Sequence, residues 1–212
     1  MIVAIDGPAG VGKSSIASTI ARNMNYFNLN SGNFYRAVSI LLIRKNLGFD
    51  DESKAVEIAG NAKMEIRNTR LFLDGEDVDD LLHSDDVDRI VAQVSAIVSI
   101  RHIVNDTLRE VSRSLDLVAE GRDMTTVVFP QAEVRVFLDA SPEIRAERRF
   151  KQGVSSLTYN EILEGIRSRD VIDRNKKEGS LILSEGALYL DTSALTLEQV
   201  CEKVTDLIKE FM

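Results

Sequence analysis

Gly7-Pro8-Ala9-Gly10-Val11-Gly12-Lys13-Ser14 constrains this chain more than any other stretch, because it matches GxxxxGK[ST] in full and lies between the two elements such a loop must join. Before it, Ile2 to Asp6 is a short apolar run, which predicts a buried strand. After it, Ile16, Ile20 and Met24 recur at helical spacing with Ala17 and Ala21 beside them, which predicts an amphipathic helix opening at the loop. In the order strand, glycine loop, helix, backbone N–H groups converge on a polyphosphate and the helix N-terminus adds partial positive charge. Lys13 then reaches the β and γ phosphates, and Ser14 can ligate Mg²⁺. The stretch predicts a nucleoside triphosphate resting on Gly7, Pro8, Ala9, Gly10, Val11, Gly12, Lys13, Ser14 and Ser15. The same loop serves kinases, GTPases, motor ATPases and regulators, so the fate of the triphosphate has to come from the rest of the chain.

A chain of 212 residues can bury a sizeable core and fits one α/β domain with small insertions. With 26 Lys+Arg against 34 Asp+Glu, the net charge of −8 opposes a nucleic acid partner. The longest apolar run, Ala37 to Ile43, is too short for a bilayer, so no membrane association is expected. Met1 leads directly into the first strand, which predicts no signal peptide. Cys201 is the only cysteine, which fits a reducing cytoplasm. It falls on the stripe Leu197, Val200, Cys201, Val204, Leu207, Ile208, Phe211 and reads as a small core hydrophobe. His83 and His102 have no partner at metal-ligand spacing. Nothing demands an assembly, and a monomer is expected.

Short apolar runs alternating with helical periodicity predict a parallel sheet with helices on both faces. Besides Ile2 to Asp6, the strands are expected at Phe27 to Leu29, Leu115 to Ala119, Val134 to Leu138 and Ala187 to Leu190. Thr196 with Gln199 makes a capping box for the last helix, and Ser141-Pro142-Glu143 is another helix start. Residues 63 to 78 break the alternation and read as an antiparallel hairpin turning at Asn68-Thr69. The polar stretch Lys151 to Asn160 joins two arginine-rich helical segments and reads as a mobile lid.

The arginines direct attention to a second substrate. Arg36 follows the second predicted strand, and Arg122 with Asp123 follows the third, all at the sheet edge that carries the glycine loop. Arg145, Arg148 and Arg149 share a helical face; Arg167, Arg169, Asp173, Arg174 and Lys176 form a further cluster. Phosphoryl transfer needs such convergence, since it is mostly alignment and charge neutralisation. No residue stands out as a general base. A phosphate monoester acceptor is largely dianionic at neutral pH and needs none, and a nucleoside monophosphate meets that requirement.

Over essentially its whole length the chain resembles the bacterial cytidylate kinase family of P-loop nucleoside monophosphate kinases. The resemblance rests on IDGPAGVGKSS, NSGNFYR at Asn30 to Arg36, GEDV at Gly75 to Val78, EGRDMTTVVFP at Glu120 to Pro130, FLDAS at Phe137 to Ser141, RAERR at Arg145 to Arg149 and RDVIDRN at Arg169 to Asn175. It implies ATP-dependent, Mg²⁺-assisted conversion of CMP and dCMP to CDP and dCDP. It also implies one P-loop kinase unit with a core of about 1–32, 101–147 and 170–212, a monophosphate-binding insertion of about 33–100 and a helical lid of about 148–169. Ser31, Arg101 and Asp123 would address the cytosine, Arg36 and Arg122 the monophosphate, and Arg169 and Asp173 the sugar. Tyr35 and Lys176 would complete the acceptor set. Lys13, Arg122, Arg148, Arg149 and Arg169 would act on the transferring group, and Ser14 would hold the metal with Glu120 behind it.

Four positions depart from the family pattern. Asn30 stands in place of Asp, Ala92 in place of a serine that contacts the base, Thr125 in place of a glycine, and Lys176 in place of an arginine. Losing one neutral hydrogen bond costs about 0.5 to 1.5 kcal/mol, so cytosine preference can be blunted while phosphoryl transfer survives. Two other readings stay open beside the (d)CMP kinase: a pyrimidine monophosphate kinase that also takes UMP, and a nucleotide-binding regulator without turnover.

Overall fold

β1 (Ile2–Asp6) forms where the opening apolar run predicts it, and its residues from Val3 onward are buried. The computed structural model describes residues 1–47, 51–67, 69–113, 115–153 and 157–212. Two compact units divide the chain, one made of Met1–Leu29 with Leu115–Met212 and the other of Asn30–Ser114. In the first, β1 is the middle strand of a five-stranded parallel sheet. The order is β2 (Phe27–Asn30), β6 (Leu117–Gly121), β1, β7 (Val134–Asp139), β8 (Leu188–Asp191). Ile2 to Asp6 pair in register with Leu117 to Gly121 on one side, and Val3 to Asp6 with Val134 to Phe137 on the other. A strand hydrogen-bonded on both edges and covered on both faces has no place for alternating polar side chains, hence the unbroken apolar run.

α1 (Lys13–Met24) and α8 (Leu197–Glu210) complete this core. Ile16, Ala17, Ile20 and Ala21 of α1 pack with Val200, Cys201, Val204 and Ile208 of α8 and with the buried residues of the central strands. Cys201 is therefore the core residue its stripe predicts. The ends of that stripe are not core: Leu197 is 40% and Phe211 52% exposed, at the two ends of the helix. The Thr196–Gln199 capping box forms at the N-terminus of α8. α6 (Pro142–Lys151) starts at Ser141, whose hydroxyl accepts the Ile144 N–H at 3.3 Å. α7 (Tyr159–Arg174) packs against α6 and has its own capping box, Thr158 with Glu161.

Strand positions shift slightly from expectation. β6 begins at Leu117, not Leu115, because Leu115 is 41% exposed, and β8 begins at Leu188. The second unit contains α2 (Ser31–Arg44), α3 (Glu52–Asn61), β3 (Met64–Arg67), β4 (Arg70–Leu73), β5 (Glu76–Asp77), α4 (Asp85–Val94) and α5 (Val98–Val111). β3 and β4 are the predicted hairpin, with Thr69 at φ 67°; Asn68 of the expected turn lies outside the described residues. β5 adds a third antiparallel strand after a second turn at Asp74 and Gly75, both with positive φ. Within the expected lid stretch, residues 154–156 lie outside the described residues.

The close approach of the glycine loop to the sheet has a measurable consequence. A Cβ on Gly7 would sit 2.3 Å from the Leu138 carbonyl oxygen of β7, a backbone atom that cannot move aside. Gly7→Ala is expected to cost on the order of 3 kcal/mol, read as a lower urea midpoint at unchanged m-value.

Candidate active site

The loop from Gly7 to Gly12 turns back on itself through Gly10 at φ 77° and Gly12 at φ 101°, conformations that side chains resist. Gly12 is the N-cap of α1, and no side chain caps that terminus. The orphan N–H groups that open the helix therefore face outward with the dipole behind them, the arrangement that takes an anion. Lys13 is buried, and its ammonium donates to Pro8 O at 2.8 Å within the loop. Burial, then the charges of Arg122 and Arg169, push the Lys13 ammonium well below its ordinary value; Glu120 and Asp173 pull the other way. Lys13 is a cation held among cations, and a polyphosphate would supply the charge it lacks.

The same unit assembles a charge cluster around Asp173. Its carboxylate accepts from Arg122 Nε at 2.6 Å and Lys176 Nζ at 2.8 Å, and Arg169 Nε lies 3.9 Å away. Burial alone would raise the Asp173 carboxyl; Arg122, Lys176 and Arg169 together overturn that and hold it well below the usual carboxylate range. Arg122 leaves the end of β6 and also donates to Gly121 O at 3.3 Å. Burial works against the Arg122 cation, but Asp173 outweighs it with help from Glu120 and Asp6, and the guanidinium stays firmly charged.

Asp6, at the end of β1, accepts from the N–H groups of Met124 and Thr125, each at 2.8 Å, and from Thr125 Oγ1 at 2.6 Å. Burial pushes its carboxyl up to about 6 despite these three bonds. Asp6 was absent from the site residues expected from sequence, although it ends the strand that enters the loop. Thr125 stands in place of a glycine, yet its backbone is not among the positive-φ positions, so glycine-like freedom is not used there.

The arginines of α6 do not share one environment. Arg145 is buried and fully engaged, donating from Nε to Ala140 O at 2.9 Å, to Ala9 O of the loop at 2.9 Å, and through both terminal nitrogens to Asp170 of α7 at 3.0 and 2.5 Å. It braces the loop against α7. Arg148 donates to Thr192 Oγ1 at 3.0 Å and Thr192 O at 2.5 Å, with a longer contact to Val11 O at 3.5 Å. Arg149 is exposed. Arg167, once grouped with Arg169, pairs on the surface with Glu143 and Glu164, each at 2.9 Å.

In the second unit, Ser31 opens α2 and is buried. Arg36 donates from Nη1 to Leu82 O at 3.1 Å and pairs with Asp88 of α4. Arg101 is buried; it donates to Ser95 O at 2.9 Å and its guanidinium lies 5.6 Å from the centre of the Tyr35 ring, a cation–π contact. The Tyr35 hydroxyl is 3.4 Å from Asn105 Oδ1. Asp88 and Asn105 carried no sequence signal, since a polar residue on a helix reads as solvated. At Ala92, whose side chain cannot contact a base through oxygen, the backbone carbonyl accepts from Ser95 Oγ at 2.9 Å.

The donors available to a metal are hard oxygens. The Ser14 hydroxyl is exposed on the first turn of α1, and the buried Glu120 carboxylate lies close enough to Lys13 to favour its charge. Among the described residues no group of three or more Asp, Glu, His or Cys side chains is arranged to hold an ion. One or two side-chain oxygens, with phosphate and water completing the shell, suit Mg²⁺.

A family model described as cytidylate kinase matches residues 3–210. The chain belongs to the cytidylate kinase family. The cytidylate kinase of Caldanaerobacter subterraneus subsp. tengcongensis is 37% identical over 98% of this chain and 94% of its own length. That of Thermodesulfovibrio yellowstonii is 39% identical over 99% and 98%. Membership makes the chain a nucleoside monophosphate kinase. A shikimate kinase structure from Bacteroides thetaiotaomicron superposes with a TM-score of 0.51 at 11% identity, covering 99% of this chain and 98% of the other, a likeness of fold alone. Among the described residues, no helix of this family member is long and apolar enough to cross a membrane.

Proposed function

We propose that this family member transfers the γ-phosphoryl group of ATP to CMP and dCMP, yielding CDP or dCDP and ADP, as a monomer in the cytoplasm. The observation that carries the reading is the group of cations Lys13, Arg122 and Arg169, buried or half-buried, with Lys13 left short of negative charge. A phosphate oxygen of the acceptor, already anionic, attacks the γ-phosphorus; that bond forms as the bond to the β,γ-bridging oxygen breaks, and ADP leaves with the electron pair. No proton has to be removed from the nucleophile, which is why no base is needed. Lys13, Arg122 and Arg169 stabilise the charge on the moving group, with Arg148 and Arg149 of the lid, about 148–169, joining them. Mg²⁺ bound with ATP would be held by Ser14, with Glu120 behind it, and would supply positive charge to the phosphates.

Arg36, Arg122 and Lys176 bind the acceptor phosphate; Arg169 and Asp173 bind the sugar. Ser31, Arg101 and Asp123 read the cytosine, with Tyr35 under Arg101. The Asp123 carboxylate accepts from the 4-amino group, where uracil presents another acceptor. Core, insertion and lid are assigned as the family pattern implies, with the insertion at about 33–100. The test is ADP release from MgATP with CMP, dCMP, UMP, AMP and GMP offered separately. Turnover confined to CMP and dCMP is expected; turnover with UMP at a comparable rate would replace the reading with a broader pyrimidine kinase, and none at all with a regulator. Asp123→Ala should lower the CMP-over-UMP preference roughly tenfold or more, since a buried polar group that reads one base discriminates by its partner. Equal loss toward every acceptor would remove Asp123 from base reading.

A further inference from the structure

In the turn that follows Asp123, every backbone N–H from Met124 to Phe129 finds an acceptor. The N–H groups of Thr126, Val127 and Val128 converge on the Asp123 carbonyl at 3.4, 2.9 and 3.1 Å, and that of Phe129 goes to Met124 O at 2.8 Å. The last two span five residues, so the turn is wider than an α-helical one, a form that recurs near functional sites. The first two N–H groups, of Met124 and Thr125, donate outside the turn to Asp6. A helical turn leaves its opening N–H groups without partners, and here a carboxylate from another strand caps them. Thr125 Oγ1 adds the third bond, at 2.6 Å, from the same residue whose backbone is capped. Asp6 is fully buried, and Thr125 is 2% exposed.

We infer that Thr125 and Asp6 are positioning residues: their side-chain bond locks the turn that aims Arg122 and Asp123, and ties it to the residue that leads into the glycine loop. The inference rests on the acceptor-binding role proposed above for Arg122 and Asp123. Asp6 precedes Gly7, and Thr125 follows Asp123 by two residues, so the clamp is a direct hydrogen-bonded link between the start of the triphosphate loop and the acceptor segment. The hydroxyl carries more than one bond's worth of order. A β-branched side chain has few χ1 choices, and its bond to a buried anion removes the remaining ones. Without it, the carboxylate still caps two N–H groups, but the side-chain tie between the turn and β1 is gone. The positioned groups act; Thr125 and Asp6 touch neither substrate in this account.

The test compares Thr125→Val, which keeps the shape and removes the hydroxyl, with Thr125→Ser, which keeps the hydroxyl. Initial rates are measured with CMP and ATP varied in turn, and backbone amide exchange is followed by NMR in the nucleotide-free protein. Thr125→Val is expected to raise the KM for CMP roughly tenfold to a hundredfold, as loss of one hydrogen bond to a charged group predicts, with the KM for ATP changed less than about twofold. Thr125→Ser should restore the wild-type values. Amides 124 and 125 should exchange faster in Thr125→Val than in wild type or Thr125→Ser. An unchanged KM for CMP in Thr125→Val, or a parallel rise for CMP and ATP, overturns the inference. If wild type turns over no monophosphate, the functional reading fails by itself, and unchanged exchange at 124 and 125 in Thr125→Val then refutes the clamp independently.

Discussion

Lys13→Ala is expected to lower kcat by about 10²- to 10³-fold, the loss that follows when one preorganised donor to a developing charge is removed, and to do so without destabilising the nucleotide-free protein. The two halves of this result have one cause. In the folded apoprotein the Lys13 ammonium is buried, held by Pro8 O at 2.8 Å and surrounded by the charges of Arg122 and Arg169. Its proton affinity is therefore lower in the folded than in the unfolded chain, so at neutral pH folding has to carry a proton where it is disfavoured. Bound polyphosphate reverses that balance by placing negative charge beside the ammonium. Deleting the side chain removes both the catalytic benefit and the folding cost. Thermal unfolding of Lys13→Ala without nucleotide is expected at or above the wild-type midpoint, while added ATP shifts that midpoint less than in wild type. A coupled assay for ADP and a thermal melt check the two halves separately. A lowered midpoint accompanying the lost turnover would mean that Lys13 is a structural brace. Lys13→Arg should not rescue turnover, because a planar fork does not fit a slot shaped for a compact point charge.

How far such behaviour was legible in the sequence depends on whether the signal is local. The loop from Gly7 to Ser14, the capping box at Thr196 and Gln199, and the Ser141-Pro142 start are short-range devices, and each folds as written. β5 was invisible because Glu76 and Asp77 are two exposed acidic residues with no alternation to betray a strand. The order β2-β6-β1-β7-β8 could not be read from any segment, since it is settled by which faces bury together. The arginines show the same limit within the site. Arg145 and Arg148 lie three residues apart on one helix. Yet the first is consumed by Ala9, Ala140 and Asp170, while the second reaches Thr192 across the end of β8. Spacing placed them on one helix, but only tertiary partners separate a brace of the loop from a side chain tied to the end of β8. The pairing of Arg36 with Asp88 was equally hidden, because 52 positions separate them in the chain.

Asp173→Asn should be among the most destabilising single substitutions in the first unit, at about 3 to 5 kcal/mol, the range for removing one member of a buried ion pair. Its carboxylate is 2% exposed and neutralises Arg122 and Lys176 directly, with Arg169 at 3.9 Å. An amide of the same shape keeps some hydrogen bonds but leaves these cations, and Lys13 beside them, without their shared anion. The pH dependence follows from the direction of the carboxyl shift. Because Asp173 is held below its unfolded value, its contribution is fully present above that value, near 4, and is lost as pH falls toward the folded one. Wild type should therefore lose stability steeply below about pH 4, and Asp173→Asn, already without that contribution, should show a shallower slope over the same window. Urea midpoints at pH 7, 5, 4 and 3 measure both effects. Inorganic triphosphate provides the complementary check, since an added anion should restabilise Asp173→Asn by more than it stabilises wild type. A loss below about 1 kcal/mol at pH 7 with an unchanged acid slope would mean that the cations are satisfied elsewhere, and would take from Asp173 its place as the counter-charge that lets so many cations wait together for phosphate.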